Sequence, residues 1–262
     1  MLILLSPAKS LDYASRIPRL PVTTPRLLDE SERLVDVMRR KSVAELAALA
    51  DISDELAALN AQRWAEFSLP FTRQNARPAV LAFDGDVYRG MDVRQRFGAR
   101  DYTEAGKTVR ILSGLYGVLR PLDLIQPYRL EMGTRVATDR GTSLYDWWGA
   151  GVTDLLAADL AASPGAKLVV NLASSEYYGV VRPDRLGAPV ISPRFEDTNA
   201  QGRRSVVSFY AKRARGEMAA WLVTRRARTA SAVKDFAAAG YRYDEAASTR
   251  DAPVFVRSFA DR

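Results

Sequence analysis

Cysteine and histidine are both absent from this sequence of 262 residues. Zinc, haem and iron–sulfur sites are normally built from these side chains, and disulfide or thiolate redox chemistry requires cysteine. Their absence nearly excludes those functions. Acid–base chemistry would therefore depend on Asp, Glu, Lys or Tyr, and any metal would be a hard cation bound by oxygen atoms. We expect no cofactor and no bound metal.

Long hydrophobic runs are also missing, because the apolar segment Met1–Leu5 stops at Ser6-Pro7. This segment is too short to span a membrane, and it lacks the basic residues that precede the apolar part of a signal peptide. No linker, repeat or low-complexity tract divides the chain, and 47% of the residues are hydrophobic, which is ample for one core. We expect a cytoplasmic protein with a single domain, residues 1–262, and no contact with membranes.

Basic charge is concentrated in one short segment that holds eight Lys and Arg residues and a single acid, Glu217. This excess equals the whole formal net charge of +7, so the rest of the chain is neutral. Clustered cations sum their fields, which favours a face that binds a polyanion. A solvated basic helix is the other interpretation. The basic residues are Arg203, Arg204, Lys212, Arg213, Arg215, Arg225, Arg226 and Arg228.

Strand and helix patterns alternate along the chain, which is typical of an α/β fold. Leu2–Leu5 has the pattern of a buried strand, and Lys9 follows its carboxyl end, where ligands of α/β sheets gather. The basic helix near the carboxyl end carries an apolar stripe that leaves its cations outside the core. We predict a central mixed sheet surrounded by helices. Further strands are predicted at 79–83, 107–112, 167–172, 189–195 and 205–209, a long helix at 143–160, and a helix start at Thr24-Pro25.

Two short helices joined by a tight turn are predicted between Ser42 and Arg63. Ser42 and Glu45 form a capping box that opens the first helix. Such a pair is either a helix-hairpin-helix, which presents backbone N–H groups to a phosphate, or an ordinary pair of antiparallel helices. The usual Gly-hydrophobic-Gly turn is here Asp51-Ile52-Ser53, and the acids that follow would repel a phosphate.

Six blocks of the sequence resemble the YaaA peroxide-stress family and occur in its order. The blocks are residues 1–12 (MLILLSPAKSLD), 85–88 (GDVY), 110–123 (RILSGLYGVLRPLD), 126–133 (QPYRLEMG), 171–174 (NLAS) and 208–216 (SFYAKRARG). The resemblance implies a cytosolic bacterial protein of hydrogen peroxide resistance with an α/β fold particular to the family. It also implies binding of duplex or branched DNA, largely without sequence preference, through a positive cleft and a helix-hairpin-helix, to protect DNA or assist its repair.

The resemblance and the charge pattern together predict a DNA interface. In the hairpin, Leu46, Leu49, Ile52, Leu56 and Arg63 match the family pattern. The predicted DNA-binding residues are Lys212, Arg213, Arg215, Arg203, Arg204, Arg225, Arg226, Ser53 and Arg63.

Two enzymatic alternatives remain open. Asp84 and Asp86, after an apolar segment predicted as a strand, have the spacing of a Mg²⁺-dependent phosphatase site. A lysine such as Lys9 or Lys212 could instead act as an amine nucleophile on an abasic sugar, because cationic neighbours lower the pKa of a lysine. Lys9, Asp86 and Lys212 are therefore the candidate catalytic residues.

Polar residues of the shared blocks form a further set of candidates. Many follow predicted strands or lie in turns, where a rigid scaffold often positions functional groups. The alternative is a buried ion-pair network of Arg120, Asp123, Arg129 and Glu131. The cleft candidates are Lys9, Tyr88, Arg120, Arg129, Glu131, Asn171 and Ser174.

Overall fold

The computed structural model describes all 262 residues. The strands are β1 Leu2–Leu5, β2 Arg77–Pro78, β3 Val109–Ser113, β4 Gly117–Leu119, β5 Leu124–Ile125, β6 Val169–Asn171, β7 Val190–Ile191, β8 Arg194–Thr198, β9 Arg204–Ser205, β10 Arg242–Asp244 and β11 Val254–Arg257. The helices are α1 Leu28–Arg39, α2 Val43–Ala50, α3 Asp54–Glu66, α4 Ala79–Ala82, α5 Asp86–Met91, α6 Val93–Arg96, α7 Ala99–Thr108, α8 Leu144–Trp148, α9 Gly151–Ala162, α10 Ser175–Tyr178, α11 Pro183–Leu186, α12 Ser208–Thr224 and α13 Ala230–Lys234, with a short 3-10 helix at Phe259–Asp261.

β1 lies in the middle of a five-stranded sheet with the order β4-β3-β1-β6-β7. It runs parallel to β3 and β6, and its residue Leu4 pairs with Arg110 on one side and with Asn171 on the other. β7 is parallel to β6, whereas β4 is antiparallel to β3. Every residue of β1 is buried, as expected for a central strand that is covered on both faces. The predicted α/β fold with a mixed central sheet surrounded by helices is confirmed.

A second sheet has four strands in the order β10-β11-β8-β9, and β2 and β5 form a two-stranded ladder. β8 and β11 are parallel, and their outer neighbours are antiparallel to them. A single hydrophobic cluster of 67 buried residues includes both β1 and residues of this second sheet, such as Phe195 and Phe255. No helix has both the length and the apolar composition needed to cross a membrane.

Several predicted boundaries are wrong. Residues 79–82 form the helix α4 rather than a strand, because a short buried apolar run fits either element. The predicted helix 143–160 is divided at Gly149, whose φ of 50° is incompatible with a continuous helix. The predicted strand 189–195 is two strands, β7 and β8. Of the predicted strand 205–209, only Ser205 is in a strand, β9, and residues 208–209 already belong to α12. Helix α1 starts at Leu28 without the predicted Thr24-Pro25 cap.

Candidate nucleic-acid interface and its cleft

A cleft of about 500 Å³ opens beyond the carboxyl ends of β1 and β6. Its lining includes the turn that follows β1, the start of α10 after β6, residues 84–89, and one face of α12. The carboxyl ends of adjacent parallel strands meet at one edge of a sheet, and ligand sites of α/β proteins form at that edge. This position makes the cleft the candidate site.

Two glycines bring α12 unusually close to α5. A Cβ atom on Gly216 would lie 1.8 Å from the carbonyl oxygen of Val87, and a Cβ atom on Gly90 would lie 2.1 Å from the carbonyl oxygen of Arg213. Both contacts involve backbone atoms, so no side-chain rotation could relieve them. Glycine at both positions is therefore what allows α12 to form one wall of the cleft.

Lys212 and Arg215 project from α12 into the cleft. They are three residues apart and so share one face of the helix. Lys212 is exposed and Arg215 is half-buried. Burial lowers the pKa of the Arg215 guanidinium, and no carboxylate offsets that effect; an arginine nevertheless remains protonated. The two side chains supply positive charge that the chain itself does not neutralise.

The other walls of the cleft contain cations that are already paired. Lys9 Nζ lies 2.9 Å from Glu131 Oε2, and Arg89 Nε donates to Asp84 Oδ1 at 2.9 Å. Asp86 also lines the cleft. The walls opposite α12 therefore combine paired cations with carboxylates.

Hydrogen bonds fix the strand-end turns that form the floor of the cleft. The Tyr88 hydroxyl donates to the carbonyl oxygen of Ser6 at 2.9 Å, and the backbone N–H of Ser174 donates to Ser6 Oγ at 2.9 Å. Burial raises the pKa of Tyr88 and of Tyr177. Glu176 Oε1 accepts a hydrogen bond of 3.0 Å from the backbone N–H of Gly133. The floor is thus preorganised before any ligand binds.

A family model described as "Peroxide stress protein YaaA" matches residues 1–247. The chain belongs to the YaaA family. It is 50% identical over 258 residues to a UPF0246 protein of Idiomarina loihiensis, covering 98% of this chain and 99% of that relative. It is also 51% identical over 263 residues to a UPF0246 protein of Cupriavidus pinatubonensis, with 100% of both chains covered.

In this YaaA family member, the predicted basic residues fall into two groups. Arg204 pairs with Asp244 at 2.5 Å, Arg226 pairs with Asp101 at 2.9 Å, and Arg228 pairs with Glu104 at 2.5 Å. Five of the basic segment's residues form no salt bridge; they are Arg203, Lys212, Arg213, Arg215 and Arg225. Of these five, Arg225 lies over the ring of Trp221, and Arg213 lines a separate depression beside Phe209 and Tyr210.

The predicted hairpin exists as two packed helices, α2 and α3. Asp51 takes the left-handed conformation, with φ 49°, where the usual motif has glycine, and Ser53 Oγ accepts from the Leu56 N–H at 3.4 Å as the cap of α3. Arg63 lies outside the cleft, in a groove with Arg73 and Arg77. DNA binding by this hairpin stays a prediction.

The predicted cleft candidates also fall into two groups, those that line the cleft and those that do not. Lys9, Tyr88 and Ser174 line the cleft, as do the candidate catalytic residues Asp86 and Lys212. Glu131 joins the cleft to the hairpin, because it pairs with Lys9 and also lies 3.5 Å from Arg129, which faces α2 and α3.

Arg120 and Asn171 have structural roles outside the cleft lining. Arg120 pairs with the fully buried Asp123 at 2.8 Å. Asn171 Oδ1 accepts from the backbone N–H of Ala173 at 3.0 Å and so shapes the turn after β6. The predicted ion-pair network is therefore two separate clusters, one around Asp123 and one around Glu131.

The phosphatase hypothesis depended on a strand that ends at Asp84. The preceding segment is the helix α4, and Asp84 is held by Arg89. No group of three or more acidic side chains is arranged to hold a metal ion.

Sequence reasoning missed Arg89 and Phe209. Arg89 lies in α5 and pairs with Asp84, which lies just before the helix, and helical spacing within α5 does not by itself predict that pair. Phe209 was assigned to a strand, but it lies in the first turn of α12 and is 51% exposed. An aromatic residue three positions before a cluster of cations is the signal that could have identified it.

Proposed function

We propose that this protein is a cytoplasmic DNA-binding protein of the peroxide stress response. It binds duplex or branched DNA largely without sequence preference, through α12 and its cleft with the α2–α3 hairpin as a second contact. Binding protects DNA from damage or assists its repair.

The observation that carries this proposal is that three neighbouring cations on α12 have no carboxylate partner. Lys212, Arg213 and Arg215 lie within one turn of the same helix and have no carboxylate partner, whereas Arg226 and Arg204 are neutralised by acids. Because no acid of the chain neutralises these three clustered cations, they are available to an external anion. Guanidinium and ammonium groups that bind phosphates release condensed counterions, which is the main source of affinity without sequence preference.

Phe209 supports a preference for branched DNA. Its ring is exposed, lies edge-on to Tyr210, and precedes Lys212 by one helical turn. Base stacking on an aromatic side chain needs unpaired bases, and these occur at junctions and in damaged DNA.

The hairpin contributes through Arg63 rather than through a helix terminus. Asp54 and Glu55 occupy the first turn of α3 and are exposed, so their charges oppose a phosphate there. Arg63 and its neighbours Arg73 and Arg77 instead give the adjacent groove a basic wall.

The test is the affinity for duplex and junction DNA as a function of salt. Five phosphate contacts, one for each unpaired cation of the basic segment, predict a slope of log K against log salt of about −4.5. The variant Lys212→Ala/Arg213→Ala/Arg215→Ala should reduce the magnitude of that slope by about 2.7.

A matched control removes the same charge elsewhere. Arg100, Lys107 and Arg250 are exposed and lie outside the cleft and the basic segment, so Arg100→Ala/Lys107→Ala/Arg250→Ala should retain the wild-type slope. A flat salt dependence, or equal losses in the two triple variants, contradicts the proposal.

The lyase alternative has one observation in its favour, since Lys9 and Lys212 both line the cleft. Lysine Schiff-base chemistry on an abasic sugar leaves an adduct that borohydride traps. A trapped adduct that is lost in Lys212→Gln or Lys9→Gln would replace the binding-only proposal with an enzymatic one.

A further inference from the structure

The cleft combines two unpaired cations with several carboxylates. A site that only binds the DNA phosphate backbone does not need those carboxylates. We propose that it binds the phosphomonoester group of a single nucleotide, with Lys212 and Arg215 on the phosphate and the opposite walls on the sugar and base. The nucleotide is either free or the phosphorylated end of a DNA strand. This inference specifies the ligand of the same cleft. It rests on the proposed DNA binding only if the nucleotide is the end of a DNA strand.

Arg215 points to an anion because of its burial. Partial removal of a guanidinium from water costs free energy, and an anion bound in the cleft would offset that cost. Arg215 is half-buried without a carboxylate. Lys212, one turn away on the same face, exposes its ammonium to the same cleft. A phosphomonoester carries about −1.5 to −2 charges at neutral pH, which matches two cations.

The opposite walls indicate that the ligand is more than an inorganic anion. Lys9 and Arg89 are neutralised by Glu131 and Asp84, at 2.9 Å in each pair. The carboxylates of Asp86 and Glu176 also line the cleft. Because carboxylates accept hydrogen bonds and repel phosphate, they suit the hydroxyl and amino groups of a nucleoside rather than a second anion.

The size of the cleft agrees with one nucleotide. Its volume of about 500 Å³ lies within the range of about 300 to 1,000 Å³ that is usual for small-molecule sites. A single nucleotide fits in such a volume, whereas a segment of duplex does not. A duplex can therefore contact the exposed cations at the rim, and only an end or an extruded nucleotide can reach Arg215.

The experiment titrates the intact protein with each of the four 5′-deoxynucleoside monophosphates, with the matching nucleosides, and with inorganic phosphate. At least one monophosphate should bind ten-fold or more tightly than its nucleoside and than inorganic phosphate. Lys212→Gln/Arg215→Gln should weaken that binding at least ten-fold, because charge-assisted hydrogen bonds to phosphate are lost.

The charge-matched control is Arg100→Gln/Lys107→Gln, which should bind the monophosphate as the wild type does. Lys212→Gln alone provides a variant of an exposed residue, so that misfolding cannot explain its loss of affinity. The proposal is overturned if no monophosphate binds at millimolar concentration, if nucleosides bind as well as monophosphates, or if both double variants lose affinity equally.

A second arm distinguishes the two sources. Duplexes of one sequence, with either phosphate or hydroxyl at the strand ends, are compared at fixed salt. If the phosphorylated duplex binds more tightly and the monophosphate competes with it, the natural ligand is the DNA end. If the monophosphate binds but the end phosphate has no effect on duplex affinity, the natural ligand is the free nucleotide. Salt-dependent duplex binding without monophosphate binding refutes this inference alone, and monophosphate binding without duplex binding refutes the proposed function alone.

Discussion

The crossing of α5 and α12 provides a stringent test of the fold around the cleft. In Gly216→Ala, the new methyl group would lie 1.8 Å from the Val87 carbonyl oxygen and 2.6 Å from the Met91 nitrogen. Real Cβ contacts are essentially never shorter than 3.0 Å, so the two helices must separate by about 1.2 Å. A gap of about 1 Å already forfeits up to half of each dispersion contact across an interface.

The magnitude follows from two opposing effects. Alanine is favoured over glycine inside a helix by about 1 kcal/mol. Overpacking typically costs about 1–3 kcal/mol and occasionally more, and here both obstructing groups are backbone atoms that no rotamer change can move. Overpacking against two backbone groups is therefore placed at about 3 kcal/mol or more, and subtracting the gain of about 1 kcal/mol in helix propensity leaves Gly216→Ala destabilised by at least about 2 kcal/mol.

Gly106→Ala is the matched control, because Gly106 lies inside α7 and a Cβ atom there meets nothing within 4 Å. It should be stabilised by about 0.5–1 kcal/mol. The assay is urea unfolding followed by far-ultraviolet circular dichroism, in which the midpoints move in opposite directions while the slopes remain unchanged. A Gly216→Ala protein as stable as the wild type would falsify the tight crossing.

Three further predictions concern single side chains. Asp123→Ala leaves Arg120 without its carboxylate and should lower the free energy of unfolding in urea by about 3 kcal/mol. The duplex affinity per folded molecule should be unchanged. A parallel loss of affinity would show that Arg120 contributes to DNA binding after all. Burial disfavours ionised Asp12, but backbone N–H donors and Arg94 outweigh it and lower its pKa to about 2. Because the folded-state pKa is depressed, the stability that Asp12 contributes is present above about pH 4 and is lost as the pH falls toward 2. Asp12→Asn should therefore flatten the dependence of the unfolding free energy on pH between about 4 and 2. A variant whose unfolding free energy keeps the wild-type slope in that window argues against this. Phe209→Ala should leave stability within about 0.5 kcal/mol and weaken junction DNA more than fully paired duplex, whereas equal losses exclude stacking.

The elements that could be predicted from the sequence are those with local causes. Ser42 and Glu45 lie three residues apart and satisfy each other's backbone N–H groups, so the start of α2 needs no tertiary information. The apolar run at 79–82 has no capping residue, and its four residues are all buried. A run that is apolar throughout has no periodicity that would distinguish a buried helix from a buried strand. Its helical state depends on the packing around it.

The cleft was predictable only in part, for a similar reason. Lys9 and Ser174 were found because each follows a strand, and parallel strands carry such residues to one edge. The separation of Arg213 from Arg215 was not predictable, since both belong to one basic run. It depends on which face of α12 packs against α5, and that is decided by the glycines of the crossing.

The central place of β1 also governs how the chain reaches its fold. Its partners β3 and β6 begin more than 100 residues later in the sequence. During synthesis this apolar strand therefore has no neighbour until β3 has been made, and it lacks its second neighbour until β6, which ends at Asn171, has been made. Closing two such distant pairs costs entropy before the ladder forms, which slows folding relative to a helical protein of equal length. The yield of native protein in a cell then depends on how well Leu2–Leu5 is shielded from other chains during that interval.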